Sequence, residues 1–213
     1  MSADSRPVIV VGGGGHAKVL ISNLRSAQRR IIGITDPGLD VGGEILGVPV
    51  LGDDEVIMQF KSSDIELVNG IGALPDYGLR WYLIEKMGGM GFRFSSVIHP
   101  SAIIDKSVVL GEGIQVMAGC VLQAGVEIGR DSVVNTGTII EHDCKIGNQC
   151  CISPGVTING EVTIGDDVFI GSGSIVLQGL NIAHGVIIGA GSLILQDIPQ
   201  NTKFIQLRTN KIN

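Results

Sequence analysis

The sequence predicts two units in tandem: a small Rossmann-like α/β domain with a parallel sheet over residues 1–95, then a parallel β-helix over 96–213. Three observations predict this. Every sixth residue from Ile98 to Ile194 is Ile, Leu or Val, without exception. The residue four after each of these anchors is small or apolar, from Ala102, Val108 and Ile114 to Ser192 and Ile198. The residues before this register instead alternate strand-like and helical stretches.

A helix repeats near 3.6 residues and a free strand at two, so neither needs a period of six. A chain that turns a corner every six residues does. Each hexapeptide is then one short strand plus a corner, and three of them make a triangular coil of eighteen. The register spans between five and six coils, stacked as a solenoid. Glycine directly follows the anchor at Gly111, Gly129, Gly147, Gly165, Gly171 and Gly189. That placement reads as a tight corner favouring a residue free of Cβ strain.

In the first unit, Val8–Val11 is a short apolar strand running into Gly12-Gly13-Gly14-Gly15. Helical spacing follows from His16 to Ser26, then strands at Ile31–Thr35 and Ile65–Asn69 and a helix over Gly78–Met87. This order makes a βαβ-type unit. Met90–Phe94 leads into Val97-Ile98-His99-Pro100, where the six-residue register starts. Gly12-x-Gly14-x-x-Ala17 after a strand, with Asp36 some twenty residues on, fits the dinucleotide pattern plus its ribose acid. Glycines there let backbone N–H groups approach phosphates at a helix start. So short a unit holds only one mononucleotide half, which predicts a nucleotide carrying something other than nicotinamide. The alternative is a tight structural turn with no ligand.

A net charge of −6 argues against broad binding of nucleic acid or an anionic membrane. No run of eighteen apolar residues exists, and residues 1–7 (MSADSRP) lack the apolar core of a signal peptide. A reduced, cytoplasmic protein is expected. Cys120, Cys144 and Cys150 fall in the inward column as small core residues. Cys151 falls just before an anchor and is expected to point outward. No CxxC pair or Cys/His ligand spacing occurs, so no metal is expected.

The chemistry centres on His142, in Ile140-Glu141-His142-Asp143-Cys144. It lies two residues after an anchor, at a corner, and should project from the coil. A carboxylate on one ring nitrogen fixes the tautomer, raises basicity and leaves the other nitrogen free as a base. Asp143 is the first choice for that partner and Glu141 the second. One coil of eighteen residues beyond His142 lies Gly160, whose unobstructed N–H would face an oxyanion forming near the base. The competing readings are a solvated corner histidine and a plain corner glycine. His16, at the end of the Gly-rich turn, suits a phosphate or sugar contact or a helix cap. His99 reads as structural, and His184, without an acidic neighbour in sequence, as inert.

These residues resemble bacterial sugar acetyltransferases of the left-handed β-helix superfamily. The resemblance runs through Val8–Val19 (VIVVGGGGHAKV), Ile98–Ala102 (IHPSA), Asn135–Gly155 (NTGTIIEHDCKIGNQCCISPG) and Val162–Gly173. The group includes the bacillosamine-pathway and perosamine N-acetyltransferases, which act on nucleotide-linked 4-amino-4,6-dideoxy sugars. Sialic acid O-acetyltransferases share the two-domain plan. The resemblance implies a left-handed solenoid, a homotrimer with sites between neighbouring solenoids, and acetyl-CoA along that groove. It implies acetyl transfer to a sugar 4-amino group in surface-glycan (O-antigen) biosynthesis. His142 becomes the base, Asp143 its partner and the Gly160 N–H the oxyanion donor. Asn135 lies near the sugar. Gly14, Gly15, His16 and Asp36 meet the nucleotide-sugar, and Ser172, Gly173 and Ala190 meet CoA. Cys151 stands where many relatives carry a histidine tied to acetyl-CoA placement. The tail Asn201–Asn213 lacks the usual G-x-P-A-K ending, leaving Lys203, Arg208 and Lys211 as candidate phosphate contacts or a solvated tail. The alternatives are O-acetylation of sialic acid or another sugar, and a non-catalytic binding solenoid. The nucleotide base and the sugar's stereochemistry stay open.

Overall fold

Four consecutive buried residues, Val8–Val11, form strand β1 at the heart of the first unit, and the fold builds outward from them. The structure is a computed structural model that describes residues 6–73, 75 and 78–205. The chain divides into two units, Met1–Pro100 and Ser101–Asn213.

In the first unit, β1 pairs in parallel with β2 (Ile31–Thr35). Two further strands, β3 (Glu44–Ile45) and β4 (Val48–Gly52), and then β5 (Glu66–Asn69) complete a sheet of order β3-β4-β2-β1-β5. Helix α1 (Gly15–Ser26) follows the Gly-rich turn, and α2 (Gly78–Gly89) precedes the last segment of the unit. Ile9, Val11, Ile57, Leu67, Leu83 and Met87 share one core. Glu66 is buried, and Arg6 and Arg29 each hold one of its oxygens at 3.0 Å. A buried carboxylate is tolerable only when paired in this way.

The sheet is mixed, where a wholly parallel one was expected. β3 runs antiparallel to β4. Their connection, Leu46-Gly47, has φ of 50° and 69°, the pair of left-handed residues that a tight hairpin turn demands. A two-residue strand and a strand interrupted by Pro49 carry too little pattern to be read in advance.

The second unit is a left-handed parallel β-helix. Its strands are two residues long and pair with strands eighteen residues on, as in Val121↔Ile139, Ile139↔Thr157 and Thr157↔Ile175, until the last pairing, Ile187↔Lys203, which spans sixteen. Three parallel sheets result, one per face of the triangular coil. The anchors fill the interior: Ile140, Ile158, Ile170, Val176, Ile182 and Ile188 are all fully buried.

The second inward column does more than fill space. Where it holds Ser, Thr or Cys between Cys120 and Ser174, the side chain donates to a corner carbonyl fifteen residues on. Ser132 reaches Gly147 O, Thr138 reaches Ser153 O and Ser174 reaches Gly189 O, each at 3.1 Å. Burial pushes the Cys150 thiol up to about 12, so it too stays protonated and donates, to Gly165 O at 3.1 Å.

The corners correct the expectation for glycine. The left-handed residue is the third after the anchor, not the first. It is Gly at Gly119 and Gly137 but Asp at Asp131, Asp143 and Asp167, all with φ between 55° and 69°. The glycines directly after the anchors, Gly189 apart, serve a different need. A Cβ on Gly147 would lie 2.6 Å from Gly165 C and 2.7 Å from Asp166 N. Stacked backbones approach too closely there for any side chain.

The two glycine columns therefore predict different costs. Gly147→Ala must push two coils apart, an overpacking loss of about 2–3 kcal/mol. Gly137→Ala has open space and meets only left-handed strain, about 1 kcal/mol. Denaturant midpoints of the two variants should fall in that order.

Candidate active site

His142 sits at the corner after the strand Ile139–Ile140. Ile140 is the buried anchor, so two residues on the chain has swung outward and the imidazole is exposed. Asp143 takes the left-handed corner position, φ 59°, and its backbone N–H donates to Ala124 O at 2.9 Å. Aspartate tolerates this conformation better than most residues. Its carboxylate folds over Gly125 of the preceding coil, in space that a Cβ there would fill.

From that position Asp143 Oδ2 lies 2.9 Å from His142 Nδ1. Of the two acidic neighbours Asp143 is therefore the orienting partner, and Glu141 contributes only a distant charge. The bond to Asp143 raises the imidazole above its ordinary value, opposed by desolvation and helped by the charges of Asp143, Glu161 and Glu141. With Nδ1 donating to a carboxylate, neutral His142 carries its free lone pair on Nε2.

Gly160 arrives at this nitrogen through the inter-coil register. Glu161 N–H donates to His142 O at 2.9 Å, which locks the two corners together. A Cβ on Gly160 would fall 2.5 Å from His142 Nε2 and 2.6 Å from Cε1. The ring therefore lies over a bare backbone. Among the described residues the Gly160 N–H has no acceptor. A base nitrogen and an unengaged backbone donor side by side form a pair suited to acyl transfer.

The structure separates the other candidates into groups. Asn135 lies at the opposite end of the Ile139–Ile140 strand from His142, and its Oδ1 accepts from Thr136 N–H at 2.9 Å. Ser172, Gly173 and Ala190 share one exposed corner on successive coils, joined by Gly191 N–H donating to Ser172 O at 2.8 Å. Cys151 takes the outward position expected of it but is not exposed there. It is buried, between Val133 and Phe169 of the adjacent coils. Alternation does turn it away from buried Ile152, but Gln115 and Val133 in the same outward column are buried as well. Of the tail candidates, Lys203 is in a short strand, whereas Arg208 and Lys211 lie outside the described residues.

In the first unit, Gly14 caps α1 and Gly15 opens it, and a Cβ on either would meet nothing within 4 Å. His16 is the second residue of that helix and is half-buried. Asp36 acts as a staple: Gly13 N–H donates to its Oδ2 at 2.7 Å and Gly38 N–H to its Oδ1 at 2.8 Å. It shapes the Gly-rich turn while keeping lone pairs to spare.

His184 does have an acidic partner, contrary to its sequence reading. Asp167 Oδ2 of the preceding coil stands 3.7 Å from its Nδ1. The two are near in the stack and distant in the chain, so neighbour inspection missed the pair. His184 also lines an open groove with Arg130, Lys145, Asn148 and Asp166. Steps of eighteen (148, 166, 184) would have found this column. Among the described residues no group of three His, Cys, Asp or Glu is placed to hold a metal ion, and no helix is long and apolar enough to cross a membrane.

Comparison with known proteins adds to this geometry. Residues 7–87 match the PglD N-terminal domain, and residues 125–160 and 161–196 match the bacterial transferase hexapeptide (six repeats). A UDP-N-acetylbacillosamine N-acetyltransferase from Bacillus subtilis (strain 168) is 33% identical over 117 residues, 52% of this chain and 51% of that protein. The match thus spans about half the length of that curated relative. Among solved structures, a histidine-to-asparagine variant of perosamine N-acetyltransferase from Caulobacter crescentus, in complex with CoA and GDP-perosamine, is 36% identical. It superposes with a TM-score of 0.85 over 94% of this chain and 93% of its own. The acetyltransferase domain of PglB from Neisseria gonorrhoeae FA1090, in complex with acetyl coenzyme A, is 29% identical, with a TM-score of 0.83 over 92% and 94%.

The electrostatics of His142 can be read directly by NMR titration. The His142 ring should titrate above 6.5, and Asp143→Asn should lower it, because the first cause of the rise is the bond to that carboxylate. Asparagine keeps the left-handed corner, so the variant removes charge without unfolding the turn.

Proposed function

The chain belongs to the bacterial hexapeptide-repeat sugar N-acetyltransferases whose first domain is of the PglD N-terminal type, and from that membership we propose that it transfers the acetyl group of acetyl-CoA to the 4-amino group of a nucleotide-linked 4-amino-4,6-dideoxy sugar. The observation that carries this reading is His142 Nε2 lying over the bare Gly160 backbone, with Nδ1 held by Asp143.

In the reaction, the neutral sugar amine attacks the thioester carbonyl carbon, and the carbonyl electron pair moves to oxygen. The Gly160 N–H stabilises that oxyanion, an effect typically worth ~10²–10³ in rate. His142 Nε2 takes the proton lost by the amine, and Asp143 stabilises the resulting imidazolium. Collapse of the intermediate breaks the C–S bond, and the proton passes from His142 to the departing CoA sulfur. The products are the amide and free CoA thiol. No enzyme nucleophile is needed, and buried Cys151 is not suited to be one.

The open start of α1 at Gly14, Gly15 and His16 suits the nucleotide phosphates. Asp36, with spare lone pairs, suits a ribose or base donor. Asn135 is assigned to the sugar. The exposed corner of Ser172, Gly173 and Ala190 is assigned to CoA. Cys151, being buried, would bear on CoA only through the packing of its strand. One solenoid face presents Ile103, Ile139, Ile175 and Leu193 to solvent in a single ladder. Such a stripe supports association with further copies, and a homotrimer is the assembly assigned. The free cysteines and the CoA donor fit a reducing cytoplasm, and the product fits surface-glycan (O-antigen) assembly.

A thiol-release assay tests the reading, with acetyl-CoA and UDP-, dTDP- and GDP-linked 4-amino-4,6-dideoxy sugars set against sialic acid acceptors. Turnover is expected with one of the amino sugars, and His142→Ala should lower kcat by ~10²–10⁴ with little change in KM. Turnover confined to hydroxyl acceptors would replace N- by O-acetylation. No turnover and no CoA binding would leave a non-catalytic solenoid. The pH profile adds a second check. The base form of His142 is lost as pH falls through its raised pKa, so the acidic limb should move to lower pH in Asp143→Asn.

A further inference from the structure

We propose that the Cys144 thiol is a positioning group for acyl transfer: donating from inside the solenoid to the Asn159 carbonyl, it fixes the Asn159–Gly160 peptide so that the Gly160 N–H faces outward beneath His142. This rests on the reading of Gly160 as the oxyanion donor.

Cys144 is fully buried, and its Sγ lies 3.0 Å from Asn159 O. Burial raises the thiol above its ordinary value, so at neutral pH it is the protonated donor and not a thiolate. A trans peptide is planar and holds its C=O and N–H antiparallel. A carbonyl anchored from the interior therefore turns the N–H of the same peptide, which belongs to Gly160, to the exterior. On that side the ring of His142 lies against Gly160. Among the described residues the Asn159 carbonyl has no second donor. Glycine at 160 gives the peptide extra freedom to rock, so a single anchor on its carbonyl matters more here than at other corners.

The fold itself does not need this bond. Valine holds the same inward column at Val126, Val156, Val162, Val168 and Val186, where no side-chain donor exists. Serine holds it at Ser132 and Ser174 and bonds in the equivalent way. Cys144→Val and Cys144→Ser are thus both residues that the column already carries, one without the donor and one with it. Cys150→Val removes the same kind of bond from the Gly165–Asp166 peptide, away from His142, and serves as the control.

The test compares the three variants and His142→Ala in steady-state acetyl transfer, together with the Gly160 amide resonance in ¹H–¹⁵N spectra. Cys144→Val should lower kcat about tenfold, part of the full loss of an oxyanion donor. Its KM for acetyl-CoA and its acidic pH limb should stay unchanged, because the His142–Asp143 pair is untouched. Cys144→Ser should restore the rate, and Cys150→Val should match wild type. The Gly160 amide should shift in Cys144→Val and not in Cys150→Val. Wild-type kcat in Cys144→Val beside an inactive His142→Ala would overturn the role of Cys144 and leave the function standing. So would an unmoved Gly160 amide, or equal losses in Cys144→Ser and Cys150→Val. Absence of acetyl transfer by wild type to every amino sugar would overturn the functional reading, and this proposal with it.

Discussion

The rest of the structure depends on the inter-coil hydrogen-bond ladder, which repeats at eighteen residues up to the pairing of Ile175 with Leu193 and shortens to sixteen in the last coil. Each strand is only two residues long, so no strand is stable by itself. Stability comes from the strand backbone groups finding partners one coil away and from anchors stacking on anchors. The same ladder leaves no room for a side chain at Gly111, Gly129, Gly147, Gly165 and Gly171, and places a left-handed residue at every sixth position from Gly113 to Gly191. A one-residue slip would turn the buried Ile columns to solvent, so the register is held by the hydrophobic term as well as by the hydrogen bonds.

The candidate site is a product of that register. His142 and Gly160 are distant in sequence, and neither is unusual alone. Glu161 N–H on His142 O brings them together, and glycine is the one residue that leaves room for the ring. The left-handed corner at Asp143 then aims a carboxylate at Nδ1, with Gly125 below leaving space for it. Three corner devices that elsewhere only turn the chain thus place a carboxylate-bound imidazole beside a backbone N–H without an acceptor among the described residues. The site is exposed, so its charges act through water and are screened by salt. Desolvation on binding both substrates would strengthen them.

The strictly periodic features were legible in the sequence. The six-residue period predicted the solenoid, and adding one coil to His142 located Gly160. The Gly-rich turn marked the start of α1 to within one residue. Features set by neighbours across the stack were not legible to local inspection. His184 was read as lacking an acid because Asp167 belongs to another coil. Cys151 was read as outward from alternation alone, which says nothing of what covers the outward face. The glycines after the anchors were assigned to turning, whereas all but Gly189 serve the close approach of stacked backbones. The β3–β4 hairpin escaped because its strands are too short to show alternation.

In the proposed reaction the acetyl group changes hands at one pair of stacked corners, His142 over Gly160. The most direct measurement is a crystal structure of the protein with CoA and the accepted nucleotide-linked amino sugar bound together. The acceptor nitrogen is expected within about 2.6–3.2 Å of His142 Nε2, with the CoA sulfur beside the Gly160 N–H. An acceptor nitrogen placed away from His142, or a CoA sulfur remote from Gly160, would contradict the proposed reaction.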